Sequence, residues 1–148
     1  SISKNGYAYA IAAIPDADHK AAAYKRIMED SSLSNDALTS TANGFLRGDV
    51  ELRTPYYKPF FDSLLSMWDT RSIGMATRIV RGLYPRSLYN YGSAEGTRVS
   101  DNPSVALAQE WLHKNPSAPS ALRRLILEAQ DNAHRNMIGQ QFNSSLSD

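Results

Sequence analysis

One long helix-forming segment near the C-terminus limits what this chain can fold into. Pro119 suits the first helical position, Ser117 can cap the free amides, and no proline or glycine follows until Gly139. Roughly 22 residues at about 1.5 Å each make a rod about 33 Å long. Its apolar residues recur at three- and four-residue steps, which place side chains on one helical face: Leu122, Leu125, Ile126, Ala129, Ala133 and Met137. The fold must bury this side of the rod.

The rest of the sequence also has helical rather than strand-like spacing. Asp16 and Ser34 are good N-capping residues, Asp69 or Thr70 can cap a later helix, and Tyr84-Pro85 ends that helix. Residues 1–14 are alanine-rich, and we interpret them as the tail of an element whose other half is missing. The further predicted helices cover about 17–29, 34–47, 55–68, 71–83 and 103–113.

Residues at helical spacing form the predicted core. Trp68 and Trp111 are both expected to be largely buried. Pro59 lies too deep for an undisturbed helix, so a restart or irregular first turn is expected there. The other predicted inward residues are Ala21, Tyr24, Ile27, Met28, Leu33, Leu38, Thr41, Ala42, Phe45, Tyr56, Phe60, Phe61, Leu64, Leu65, Ile73, Ala76, Ile79, Val80, Leu83, Val105, Leu107, Ala108 and Leu112.

These patterns predict an all-α fold of about six or seven helices, either a helical superhelix or an irregular bundle. With 148 residues, the chain suits a single domain, 1–148. Residues 86–101 lack a helical period and contain several serines and glycines, which predicts a mobile loop. Residues 140–148 are predicted to be a tail.

Composition narrows the function classes. The formal net charge of +1 argues against nucleic acid as a partner, because phosphate binding needs a concentrated basic surface. No apolar run approaches the ~20 residues that span a bilayer, and no signal-peptide pattern is visible. The absence of cysteine removes disulfides, thiolate zinc sites and cysteine nucleophiles. A cytoplasmic setting fits these features.

Metal and catalytic motifs are weak. Glu110 and His113 have the spacing of one half of a di-iron motif, which requires two such motifs and two more glutamates. His19 and His134 flank charged helix faces and are expected to be solvated. The serine pairs at 31–32 and 144–145 have no histidine and aspartate pattern around them. We therefore assign no catalytic and no metal-binding residue in this chain.

Several stretches, in order, resemble the C-terminal region of actinobacterial aminopeptidase N, a zinc-dependent exopeptidase. The C-terminal helix, beginning Ala121-Leu-Arg-Arg-Leu125, is similar to the family's last helix. The sequence departs from the family in Pro59 and in the length of the 86–101 loop. The other matching stretches are Ile14–Tyr24, Asn43–Leu46, Pro55–Phe61, Met67–Ser72 and Gly82–Pro85.

The resemblance implies a HEAT-like superhelical domain that closes over an upstream catalytic domain and restricts which peptides enter. The family's zinc motif, His-Glu-x-x-His, is absent here: the three histidines are His19, His113 and His134, and no two lie four residues apart. Zinc and catalysis would then belong to an upstream part of the same polypeptide. The alternative is a free-standing helical adaptor that binds a partner protein on a concave face.

Two groups on the last helix are candidate functional residues under this resemblance. Arg123, Arg124 and Arg135 are candidates for the substrate channel, where an arginine fork can bind a peptide carboxylate. The alternative interpretation is that these arginines have no substrate role and form a solvent-exposed face of ion pairs with Glu128 and Asp131. Leu127 and Ile138 lie on a different side from the apolar stripe and are candidates for contact with the catalytic domain.

Overall fold

The computed structural model describes residues 3–86 and 99–147, with side chains described up to residue 138 except that of Val99. Eight α-helices and three short 3-10 turns make up the secondary structure of these residues, and they contain no β-strand. The all-α prediction is confirmed. The helices are α1 (Lys4–Ala13), α2 (Ala17–Glu29), α3 (Asn35–Phe45), α4 (Tyr57–Asp62), α5 (Leu64–Thr70), α6 (Ile73–Leu83), α7 (Pro103–Lys114) and α8 (Ser120–Ser147).

The chain divides into two compact units, Ser1–Tyr84 and Pro85–Asp148. The first unit contains α1 to α6, and its helices pack mainly as α1 on α3, α2 on α3 and α3 on α6. The second unit contains α7 and α8, which pack against each other. A HEAT-like superhelix and a single domain over 1–148 remain predictions.

Local capping signals fix most helix starts. Asp16 accepts a hydrogen bond from the His19 amide at the start of α2, and Ser34 accepts one from the Ala37 amide at the start of α3, both as predicted. The predicted cap of α6 was wrong. Ser72, rather than Asp69 or Thr70, accepts from the Met75 amide, because α5 continues to Thr70.

The aromatic segment after Thr54 forms two helices instead of one. A 3-10 turn over Thr54–Tyr56 precedes α4, and Pro59 lies in the first turn of α4, so the predicted irregular start is confirmed. The break between α4 and α5 falls at Ser63, whose amide is within hydrogen-bonding distance of the carbonyls of both Pro59 and Phe60. This additional break accounts for eight helices where six or seven were predicted.

Burial confirms most of the predicted core, including Phe60, Phe61, Leu64 and the stripe of α8. Trp111 is 6% exposed, as predicted, but Trp68 is only half-buried, because the buried side of α5 is formed by Leu64 and Met67. Leu65 is exposed, since the short helix α5 turns Leu64 and Met67 inward.

Two further inward predictions were wrong. Ile73 is 72% exposed because it is the first residue of α6, and helical side chains tilt toward the N-terminus, beyond the end of the helix. Ala21 is exposed, and the buried face of α2 is formed by Lys20, Ala23 and Ile27. The spacing of apolar residues alone could not identify this buried face, because one of the three residues that form it is a lysine.

The remaining segment predictions have separate outcomes. Residues 87–98 of the predicted loop 86–101 lie outside the described residues, and Val99–Asp101 form a 3-10 turn. Helix α8 continues past Gly139 to Ser147, beyond the point where the sequence analysis ended it. No helix within the described ranges is long and apolar enough to cross a bilayer.

Candidate functional site

The three candidate channel arginines have different surroundings on α8. Arg123 is half-buried, and its Nη1 donates hydrogen bonds to the carbonyl oxygens of Leu112 and Asn115, at 2.8 and 2.6 Å. These carbonyls lie at the C-terminal end of α7, where four backbone acceptors lack a helical partner. Part of the Arg123 guanidinium is therefore engaged in holding α7 and α8 together.

Arg124 and Arg135 are exposed and lie eleven positions apart, which is three helical turns, so they share one side of α8. Arg135 pairs with Asp131 at 2.6 Å, the acid-before-base order that favours such pairs. Both side chains of this pair are exposed, so the pair adds little to stability. The channel role of the three arginines remains a prediction.

Leu127 and Ile138 are exposed, as predicted, at 49% and 47%. They are also eleven positions apart and therefore lie on one side of α8. Asp131 and half-buried His134 lie between them at helical spacing. The result is a mixed surface, with an apolar residue near each end and polar groups between. Its proposed contact with another domain remains a prediction.

A second exposed apolar surface lies on α1, and the sequence analysis did not identify it. Tyr7 is 62% exposed, and Tyr9 and Ile11 are also exposed. Between Gly6 and Pro15 the sequence contains no charged residue. That composition alone did not mark the surface, because exposed Lys4 begins the same helix and lies at helical spacing from Tyr7 and Ile11.

Basic side chains in the first unit cap helix C-termini, as Arg123 does in the second. Arg53 is buried and its Nη1 donates to the carbonyl of Leu46, just after α3. Arg71 donates to the carbonyl oxygens of Met28 at 2.7 Å and of Ile27 and Asp30 at 3.3 Å, at the end of α2. Cations are favoured there by the partial negative charge of the helix end.

Lys20 is the most unusual of these cations because it is completely buried. Its Nζ donates to the carbonyl of Ala12 at 2.8 Å and to that of Gly44 at 3.0 Å, joining the last turns of α1 and α3. The same Nζ lies 5.9 Å from the centre of the Phe45 ring. Burial, with a smaller effect from the charge of Arg53, lowers the pKa of Lys20 to about 8.

Aromatic side chains form two clusters in the first unit. Tyr24 stacks on Tyr56 with ring centres 4.7 Å apart, and Phe45 lies beside both rings. Burial raises the pKa of Tyr24 to about 12. The second cluster contains Phe60, Phe61 and Tyr84 in edge-to-face contact. These are packing geometries of a core, which favours the core interpretation of the aromatic residues.

Candidate metal ligands are engaged in local pairs. Glu110 binds Lys114 at 2.6 Å, one turn along α7, and His113 is exposed. The Nδ1 atom of His19 lies 2.7 Å from the Asp16 carboxylate, which also caps α2. Among the described residues no three His, Asp or Glu side chains come together. Ser32 bonds to Asp30 in a local turn, and the side chains of residues 144 and 145 lie outside the description.

Comparison with known proteins shows a similarity that extends over nearly the whole chain. No protein-family model matches the chain. The chain is similar to aminopeptidase N of Streptomyces lividans, with 29% identity over 143 residues. The match covers 95% of this chain but only 15% of the length of that protein. The similarity therefore concerns one segment of a much longer protein.

Proposed function

We propose that this chain forms the C-terminal helical domain of a zinc-dependent aminopeptidase N, which removes N-terminal residues from peptides. The observation that carries the proposal is the similarity to Streptomyces aminopeptidase N over 95% of the chain. The ordered motifs from Ile14 to Leu125 belong to the same resemblance and extend over most of the chain. The chain would contribute no catalytic group, and zinc would be bound in the upstream catalytic domain of the same polypeptide.

The domain would enclose the active-site cavity and restrict the substrates to peptides that can enter. Exclusion of bulk solvent and of folded proteins is a recognised use of closing elements in enzymes. Arg124 and Arg135, exposed on one side of α8, would attract the carboxylate end of a peptide. Leu127 and Ile138 would contact the catalytic domain in the closed enzyme. We expect the enzyme to work in the cytoplasm, without nucleic acid or membrane as a partner.

Enclosure can be tested in the longer polypeptide by changing Leu127 and Ile138 together to serine. Hydrolysis of a dipeptide should change little, while hydrolysis of peptides of six or more residues should change at least several-fold, because only long substrates depend on the width of the entrance. A matched control is Ile73→Ser, another exposed apolar residue on a different helix. Equal effects on short and long peptides would contradict the enclosing role.

The adaptor alternative predicts a different parent gene and a different activity. An adaptor needs no upstream His-Glu-x-x-His. The whole adaptor protein, whatever its length, would not hydrolyse aminoacyl-anilides. The aminopeptidase proposal requires both the motif and the activity. The reading frame that precedes residue 1 distinguishes the two functions directly.

A further inference from the structure

Two asparagines of this chain, Asn5 and Asn43, are each followed directly by a glycine. This dipeptide is chemically labile, because glycine has no side chain to keep its amide nitrogen away from the side chain of the asparagine. Both asparagine side chains are exposed to water. The two pairs lie in different surroundings: Asn5-Gly6 is in the first turn of α1, and Asn43-Gly44 is in the last turn of α3.

The reaction open to such a pair is deamidation, in which the glycine amide nitrogen loses its proton and bonds to the side-chain carbonyl carbon of the asparagine. The bond from that carbon to the side-chain nitrogen breaks, and ammonia leaves. Water then opens the five-membered ring at either carbonyl, which yields aspartate or isoaspartate, and no further reactant is needed. A helical backbone holds the glycine amide in a hydrogen bond and turns it away from the side chain, so the helix must first open locally.

The first pair is held weakly. The Gly6 amide belongs to the first turn of α1, where backbone donors have no carbonyl acceptor within the helix. It donates instead to the side-chain oxygen of Ser3 at 3.0 Å, and this hydrogen bond is exposed to water. Helix ends open more readily than helix interiors. Breaking one exposed side-chain hydrogen bond therefore frees the nitrogen that attacks Asn5.

The second pair is held by several contacts, because Gly44 is buried against α1. A Cβ atom added to Gly44 would lie only 2.3 Å from the carbonyl oxygen of Tyr9, so the two backbones are in direct contact. The Gly44 carbonyl accepts hydrogen bonds from the Nζ of Lys20 and from the Arg47 amide, each at 3.0 Å. The Gly44 backbone can turn toward Asn43 only after the end of α3 separates from α1 and from Lys20.

We propose that Asn5 is a site of spontaneous deamidation in the folded chain, and that Asn43 reacts only when the contact between α1 and α3 opens. Aspartate at position 5 would place a negative charge near the N-terminus of α1, where it is favourable. Isoaspartate at either position lengthens the main chain by one methylene group. At position 43 the lengthened chain would not fit the close contact of Gly44 with α1. The inference does not depend on the proposed function.

Mass spectrometry of the 148-residue chain, incubated at neutral pH in water enriched in heavy oxygen, tests the proposal. Trypsin separates the two sites into peptides 5–20 and 27–47, and fragmentation distinguishes Asn43 from Asn35 in the second peptide. In the folded chain Asn5 should react at least about tenfold faster than Asn43, because a helix end opens more readily than a packed contact. In guanidinium chloride the two rates should become similar.

Two variants test the assigned causes separately. Ser3→Ala removes the acceptor of the Gly6 amide and should raise the rate at Asn5 several-fold, whereas Ser72→Ala removes the corresponding cap of α6 and should leave that rate unchanged. Lys20→Met should raise the rate at Asn43 and not at Asn5.

The comparison of folded and unfolded wild-type chain decides the outcome without any variant. Asn5 that stays intact in the folded chain while it reacts in guanidinium chloride would overturn the proposal, and so would an Asn43 that reacts as fast in the folded chain as in the denaturant. If Asn43 stays tenfold slower than Asn5 even in the unfolded chain, the contact of α1 with α3 is not what protects it, and the proposal fails as well.

Discussion

Two helix pairs, α1 with α3 and α7 with α8, achieve close packing by opposite means. The first pair uses small residues: Ala8 and Ala12 are buried on α1, and Gly44 of α3 lies so close to Ala12 that backbone approaches backbone. The second pair uses large residues: Val105 and Met137 are buried together, with Ala133 packed beside them. The first contact has little side-chain area to bury and depends on shape. The second depends on hydrophobic area.

Cations complete both pairs but in different environments. Arg123 of α8 reaches the last carbonyls of α7 from a half-buried position. Lys20 is fully buried and joins the ends of α1 and α3 through two carbonyl oxygens. Burying an ammonium group costs much free energy unless the group donates hydrogen bonds. The buried position of Lys20 therefore requires that both helix ends stay in place to accept them. The small-residue pair should therefore tolerate substitutions less well than its modest buried area implies.

The largest effect is expected from truncating the large-residue pair. Trp111→Ala should lower the free energy of unfolding by about 3–5 kcal/mol, as for other buried aromatic residues. Trp68→Ala is the matched control on a half-buried tryptophan and should cost about 1–3 kcal/mol. Urea denaturation of the two variants measures both. Equal costs would show that burial does not distinguish the two tryptophans.

The small-residue pair should instead be sensitive to added volume. Gly44→Ala should destabilise the chain by about 1–3 kcal/mol, since the new methyl group would overlap the backbone of α1 and force the helices apart. Gly74→Ala is the control, with no atom within 4 Å of the added Cβ, and should be neutral or stabilising by up to about 1 kcal/mol. If Gly44→Ala stabilises the chain as well, α1 and α3 do not pack this closely.

Lys20→Met tests the buried cation. The variant keeps an unbranched apolar stem but lacks the Nζ donor for the Ala12 and Gly44 carbonyls, so it should cost about 1–3 kcal/mol at pH 7. The pKa of Lys20 is about 8 in the folded chain and 10.5 in its ordinary state. Between these values the unfolded chain binds more protons, so the stability of the wild type rises with pH relative to the variant.

The pH dependence of that difference is the sharper measurement. The wild-type advantage should be constant below about pH 8 and grow from pH 8 to 10.5, by about 1.4 kcal/mol for each unit of pKa difference. Other groups titrate alike in both proteins and cancel. A difference that does not change over this range would mean that Lys20 has its ordinary pKa and is not held in a dry site.

The smallest effect is expected on the exposed side of α8. Changing Leu127 and Ile138 together to serine should leave the stability of the 148-residue chain within about 1 kcal/mol, as for other surface sites. Thermal unfolding of the isolated chain measures this. A loss of several kcal/mol would place both residues in the core and contradict their use as a contact surface.

Features determined by neighbouring residues could be predicted from the sequence. The limits of α2 at residues 17 and 29 followed from the Asp16 cap and the apolar period, and the stripe of α8 followed from its spacing alone. Features that depend on distant partners could not. Arg71 caps a helix that ends more than forty positions earlier. Lys20 can be buried because the ends of two separate helices supply its hydrogen-bond acceptors. No local pattern marks such a residue as inward.

The candidate site shows the same division. Helical geometry was sufficient to predict that Leu127 and Ile138 share an exposed side. The apolar residues of α1 were visible in the sequence, but only the structure showed that Ala8 and Ala12 are buried where α1 packs on α3 while Tyr7 and Ile11 stay exposed. Contacts with a catalytic domain involve residues outside this sequence, so they stay predictions.

The most direct test of the proposed function is to ask which of two proteins, the 148-residue chain or the longer polypeptide, binds zinc and has aminopeptidase activity. The 148-residue chain and the longer polypeptide should be purified in parallel, and their bound zinc and hydrolysis of an aminoacyl-anilide measured. The proposed function predicts about one zinc per molecule and activity in the longer polypeptide, with neither in the 148-residue chain. Tightly bound zinc and hydrolysis by the 148-residue chain alone would contradict it.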